Sequence, residues 1–250
     1  MNSLGFLGNA LFCLGFADQA SARSSAAVAE ARKLAHPPSL AVSLTLDTLL
    51  SLIANSASLD DRVNELLAVT TEQGFPLWRG LGTVFRGWVK VRNGEVTEGL
   101  SLLRSGSAAY RATGAAVWTP HHIALQAGAC EKAGQITEGL TLLDDALQLS
   151  ERTKERWFEA ELYRHKGRLL LRQGHTETGE EQYRKALSIA REQEAKLWEL
   201  RAAMSLARLH RDQGRFTEAG DLLAPVYSWF TEGFDTADLK EAKALLDILP

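Results

Sequence analysis

Apolar residues along this chain recur at spacings of three and four, as in the LSLL run after Gly99 and the RLLLR run before Gln173. No stretch alternates apolar and polar residues the way a half-buried strand would, so helices are predicted throughout. The pattern also repeats. NGEVTEGLSLL from Asn93, AGQITEGLTLL from Ala133, QGHTETGEEQY from Gln173 and QGRFTEAGDLL from Gln213 are near-copies. They set Gly94, Gly134, Gly174 and Gly214 forty residues apart, and the register extends back to Asn55 and Gly15 in steps of 39 and 40. Six units fill the chain, each reading helix, tight turn, helix. Gly, and once Asn, is what a turn with positive φ accepts.

The residues around the turn repeat too. Asp18, Ser58, Thr97, Thr137, Glu177 and Thr217 stand three positions after it, where helix N-caps are expected. Small residues recur seven before it (Gly8, Thr48, Gly87, Ala127, Gly167, Ala207) and five after it in most units (Ala20, Gly99, Gly139, Gly179, Ala219). Mid-helix Gly costs ~1 kcal/mol relative to Ala, so its recurrence predicts close helix crossings. Pro225 is expected to kink or break the last unit's second helix. Beyond it, FDTADLKEAKALLDIL reads as an Asp-capped amphipathic helix with Asp238, Lys240, Glu241 and Lys243 outward. The expected architecture is all-α: six αα-hairpins of about forty residues over 1–233, and a polar capping helix in 234–250.

The small–turn–small–large–small register resembles the tetratricopeptide repeat, with Leu103, Leu143, Tyr183 and Leu223 at the large position. That resemblance implies a right-handed αα-hairpin solenoid. Forty residues in place of the usual thirty-four imply helices longer by roughly half to one turn. A more specific likeness rests on GFADQA, VTTEQGFPLWRG, AGQITEGL, RTKERWFEAELYRHKGRLLLRQG and LLAPVYSWFTEGFDTADLKEAKALLDIL. These segments resemble the C-terminal repeat region of bacterial class III adenylate/guanylate cyclase–ATPase fusion proteins. The likeness covers essentially the whole chain and includes none of that family's catalytic parts.

Charge narrows the function. With 28 Lys and Arg against 31 Asp and Glu, the net charge is −3, which argues against a dedicated nucleic-acid binder or a polybasic membrane binder. The greasiest internal run, Leu40 to Ala54, carries Asp47, so no membrane span is expected. The opening MNSLGFLGNALFCLGFADQASA lacks the basic start of a signal peptide. Cys13 and Cys130 stand too far apart in sequence for a metal spacing and suggest no disulfide framework, so a cytoplasmic location is expected. No GxxxxGK[ST] loop, GxSxG elbow, HExxH helix or CxxC pair is present, and neither enzymatic activity, a metal nor a cofactor is expected. His121–His122 read as polar residues of a first turn, and Glu161 with His165 as a surface pair.

The candidate binding residues come from the repeat register. In tetratricopeptide-like arrays the first helices line a groove. Transferring its positions gives Glu161, Arg164, Arg168, Leu171 and Arg172 in unit five, and Arg201, Met204, Arg208, Arg211 and Asp212 in unit six. Six arginines against two acids would suit a carboxylate-bearing or acidic peptide partner; salt bridging within the array is the competing reading. In unit two the same positions (Val42, Thr45, Leu49, Leu52, Ile53) are apolar. Trp78, Trp118, Phe158 and Trp198 recur as an aromatic wedge between hairpins, whereas Trp157, one position out of register, is the expected exposed groove residue. Residues 1–17 carry no charged side chain. Leu4, Leu7, Gly8 and Leu11 are expected to pack on the second helix. Phe6 and Phe12 fall outside that stripe and are expected to contact an upstream domain, or a second copy in a homodimer. The function expected is a non-catalytic protein–protein interaction module of a bacterial signalling protein of the cyclase/ATPase type. The alternative is a domain sensing a small molecule or nucleotide.

Overall fold

The structure, a computed structural model, describes residues 2–249; positions 1 and 250, which bound the two expected regions, lie outside the described residues. The described residues hold thirteen α-helices and no strand. The first helices of the six hairpins are α1 (Asn2–Cys13), α3 (Pro37–Ile53), α5 (Pro76–Arg92), α7 (Thr119–Lys132), α9 (Glu159–Arg172) and α11 (Lys196–Asp212). The second helices are α2 (Ala17–Lys33), α4 (Leu59–Glu72), α6 (Val96–Ala112), α8 (Ile136–Thr153), α10 (Thr176–Glu192) and α12 (Phe216–Ser228), and α13 (Ala237–Leu246) follows. The chain is an αα-hairpin solenoid. It divides into two compact units, the residues up to Ala10 with Gln19–Ala146, and Leu11–Asp18 with Leu147 onward.

All six turn residues have positive φ, from 50° at Asn55 to 95° at Gly15. Gly94 shows why. The Glu95 amide donates to the Lys90 carbonyl at 2.9 Å and the Gly94 amide to Val91 at 3.3 Å, a Schellman closure that requires the left-handed region at this position. The chain turns so tightly that five of the second helices begin two residues after the glycine. Asp18, Thr97, Thr137, Glu177 and Thr217 therefore sit inside the first turn instead of capping it. The cap positions of α6, α10 and α12 are Glu95, His175 and Arg215, whose side chains bond no helix amide. Ser58 does cap α4 by position, but its hydroxyl accepts from Arg62 Nε at 3.2 Å.

In the first unit the small residues mark true close approaches. A Cβ on Gly87 would lie 2.7 Å from the Leu103 amide nitrogen and 2.8 Å from the Gly99 carbonyl, so α5 and α6 meet backbone to backbone. Leu59, Val63, Leu66, Leu81, Val84, Phe85 and Leu103 fill the layers between, each 1% exposed or less. Burying such a side chain contributes roughly 1.5–3 kcal/mol. Thr45, Leu49, Leu52 and Ile53, expected to line a groove, are core residues of α3. Asp47 lies among them at 2% exposure. It accepts from Ser24 Oγ at 2.7 Å and is ion-paired with Arg62, which makes a buried carboxylate tolerable. On α1 the buried positions are Gly5, Gly8 and Phe12; of the expected stripe Gly8 is buried, Leu4 and Leu11 are half-buried and Leu7 is 44% exposed. Gly5 abuts Leu46, and Asn9 Nδ2 donates to the Leu46 carbonyl at 3.0 Å. His121 and His122 are buried at 1% exposure rather than forming a polar first turn.

The second unit ends differently from the sequence expectation in two respects. Helix α12 runs through Pro225 and stops at Ser228, four or five residues shorter than α6, α8 and α10. Helix α13 is capped by Thr236, whose hydroxyl accepts from the Leu239 amide, not by an aspartate. Its apolar face, Leu239, Ala242 and Leu245, joins the core of α10, α11 and α12.

Candidate partner-binding surface

The first-helix face of the second unit is built by α9 and α11, which pack side by side, with α13 against α11. Its centre is Glu161, 1% exposed. Arg164, one turn further along α9, grips it with two bonds, Nε to Oε1 at 2.5 Å and Nη2 to Oε2 at 2.8 Å. Arg201 reaches Glu161 from α11 at 3.4 Å and is itself held fork to fork by Asp238 of α13, at 2.7 and 2.8 Å. The Arg201 guanidinium also lies 5.2 Å from the Trp198 ring centre, a stacked cation. Burial by itself would push the Glu161 carboxyl up. The Arg164 guanidinium, with Arg201 and His165 behind it, reverses this and holds it well below the usual carboxylate range. Burial, aided by Arg168 and Arg164, pushes His165 well below its ordinary value, so it is neutral at pH 7.

The outer part of the face is looser. Arg208 pairs with Glu241 at 2.9 Å and Arg211 with Asp212 at 2.8 Å, and both carboxylates are more than 60% exposed. Arg168 is half-buried and Arg172 exposed, both on α9. Arg164, Arg168 and Arg172 thus stand on α9, and Arg201, Arg208 and Arg211 on α11. Ion pairs within the array engage Arg164, Arg201, Arg208 and Arg211, and Arg168 and Arg172 have interactions of their own. The outward placement expected for Asp238 hides the acids that α13 supplies; the signal in the sequence is an Asp one turn before buried Ala242.

Trp157 is not an exposed groove residue. Its ring lies half-buried 5.1 Å from Phe158 and 6.4 Å from Trp198, its Nε1 donates to Glu155, and its carbonyl accepts from Trp198 Nε1 at 2.9 Å. The backbone breaks helix here, between Thr153 and Glu159, and lays the ring into the wedge between hairpins. Phe12 is likewise not a free contact residue: it is 4% exposed, against Leu197, Leu200, Phe230 and Leu239 of its own chain. Phe6 is 53% exposed. Among the described residues no three His, Cys, Asp or Glu gather as a metal site, and no helix is long and apolar enough to cross a membrane.

No family model matches the chain, and no curated protein matches it. Solved structures do. BtubC (BKLC) from P. vanneervenii superposes with a TM-score of 0.58 over 91% of each chain, at 14% identity. A putative kinesin light chain from Podosopora anserina with nearly identical TPR-like repeats gives 0.52 over 78% of this chain and 96% of that one, at 20% identity. The apo form of RapI gives 0.60 over 99% of this chain and 70% of that one, at 13% identity. The fold is a tetratricopeptide-type helical repeat. At these identities the likeness concerns the fold alone, and the arginine–carboxylate surface is described from this chain's own residues.

Proposed function

We propose that this tetratricopeptide-type repeat is a non-catalytic interaction module, and that its α9–α11 face binds a carboxylate-bearing segment of a partner protein. Repeat arrays of this type present extended surfaces to such segments. The observation that carries the reading is the gradation along one face. Arg164 and Arg201 are tied to buried carboxylates and serve as framework. Arg208 and Arg211 are tied only to exposed ones. An exposed ion pair is worth about 0–1 kcal/mol, so a partner's carboxylates replace Glu241 or Asp212 at little cost. Arg168 and Arg172 extend the row along α9. The resemblance of the sequence to the repeat region of cyclase–ATPase fusion proteins supports a signalling context for the partner.

A fluorescein-labelled decapeptide of alternating Glu and Leu is a direct probe. Anisotropy should show saturable binding that weakens with Arg208→Glu and Arg168→Glu. It should also weaken in half-molar salt, where the screening length falls to roughly 4 Å. Binding indifferent to both substitutions and to salt would leave the arginines with a purely structural role.

A further inference from the structure

The second unit contains a piece of chain from the far end of the sequence. Leu11–Asp18, comprising the last turn of α1, the hairpin turn and the start of α2, clusters with residues from Leu147 onward. Phe12, Gly15 and Ala17 close over Leu197, Leu200, Phe230 and Leu239 and leave a void of only about 10 Å³. Gly15 is the decisive position. A Cβ there would lie 2.8 Å from Trp229 Cζ3 and 2.9 Å from Phe230 Cε1. At Gly94, Gly134, Gly174 and Gly214, the equivalent turns, the same Cβ meets nothing within 4 Å. So this turn is docked where those four point into open space.

The docking is chemically specific. The Phe16 ring lies 5.6 Å from that of Trp229. The Asp18 amide donates to Glu232 Oε1 at 3.0 Å, and Asp18 Oδ2 accepts from the Gly233 amide at 3.2 Å, a reciprocal pair. Cys13 comes within electrostatic reach of Arg201 and Glu161, so the segment borders the arginine–carboxylate surface. The contact is also modest. It rests on one buried phenylalanine, one glycine approach, one tilted ring contact with a Trp229 that stays 39% exposed, and the two Asp18 bonds near the surface. A contact with so little buried area opens more readily than the fully buried layers between the helices.

We propose that Phe12–Asp18 is an intramolecular ligand of the α11–α13 surface, occupying it until displaced by a partner segment of like chemistry, aromatic residues around a turn followed by a carboxylate. The proposal rests on the reading of this repeat as an interaction module, but not on the acidic-segment surface.

Full-length wild type, Gly15→Val and Gly174→Val separate docking from backbone strain, since both substitutions strain a positive-φ turn and only the first meets a neighbour. Hydrogen exchange of residues 229–236 should accelerate about tenfold or more in Gly15→Val and stay unchanged in Gly174→Val. A labelled synthetic peptide of residues 9–20, kept reduced, should bind Gly15→Val at least ten times more tightly than the other two. Phe12→Ala, which removes the anchor without touching the turn, should behave as Gly15→Val does and serves if that variant loses its helicity. Failure of both variants to accelerate exchange, or failure of both to bind the peptide better than wild type, overturns the proposal. If the residue 9–20 peptide binds and the Glu/Leu decapeptide does not, the acidic-segment reading falls and this one stands.

Discussion

Arg201 and Asp238, 37 residues apart, meet through two parallel bonds at 2.7 and 2.8 Å, and the same guanidinium reaches Glu161 on α9 at 3.4 Å. One side chain thereby joins α9, α11 and α13. Glu161 is the least replaceable member, because Arg164 and Arg201 both depend on its charge. Glu161→Ala should destabilise the fold by about 3 kcal/mol or more, leaving two half-buried guanidinium groups without their shared anion. Asp238→Ala should cost less, since Arg201 keeps Glu161. Urea unfolding followed by circular dichroism checks the order; equal midpoints for the two variants would refute the hub role of Glu161.

Stability should fall on mild acidification. Burial, with His121 and Arg111 nearby, depresses His122 to about 3 from an ordinary 6.5. The folded state therefore keeps the ring neutral while the unfolded chain takes up a proton. The stabilisation is complete above pH 6.5 and declines as pH falls toward 3, by about 1.4 kcal/mol per unit. Between pH 7 and pH 5 that amounts to roughly 2 kcal/mol from this residue. His165 acts with the same sign, and Glu161 adds its own loss below the ordinary carboxylate value of 4.5. His122→Phe, which keeps a ring 5.3 Å from Tyr110, should flatten the pH 7 to 5 slope. An unaltered slope in chemical denaturation would show that His122 already charges in the folded state.

What the sequence revealed follows from range. The six turns were legible because a left-handed residue after a helix selects Gly or Asn, and Gly87 and Gly167 because close crossings exclude a Cβ. The linkers between hairpins were not: Ala35, Lys154 and Glu194 also have positive φ, at 48°, 60° and 54°, without a glycine to mark them. The caps were misplaced because Thr97, Thr137 and Thr217 have capping chemistry, whereas the Schellman turn starts the helix earlier. Of the binding face, the row of arginines was readable from the period. So were Glu161 and Asp212, but not Asp238 and Glu241 as partners, because these lie on a helix outside the repeat. The docking of Phe12 was also hidden, since a forty-residue repeat describes neighbours and this contact spans about 185 to 227 residues.

The two phenylalanines of α1 should respond very differently. Phe6→Glu replaces a side chain 53% exposed and should change stability by less than about 0.5 kcal/mol. Phe12→Glu places a carboxylate where Leu197, Leu200 and Phe230 offer no partner, and should cost about 2–4 kcal/mol. Thermal unfolding distinguishes them; a tolerated Phe12→Glu would contradict the docked turn.

Two glycines inside helices test the meaning of small residues in the array. Both Gly87 in α5 and Gly220 in α12 cost backbone entropy of about 0.5–1 kcal/mol relative to Ala. They differ in surroundings. A Cβ on Gly87 would strike the Leu103 amide at 2.7 Å and the Gly99 carbonyl at 2.8 Å, backbone atoms that cannot step aside without parting α5 from α6. At Gly220 a Cβ meets nothing within 4 Å. Gly87→Ala should therefore destabilise, the overpacking of about 1–3 kcal/mol outweighing the gain in helix propensity. Gly220→Ala keeps only the gain and should stabilise by about 0.5–1 kcal/mol. The sign is the readout: urea midpoints moving in the same direction for both variants would mean that glycine is not placed in these helices for the closeness of the crossing.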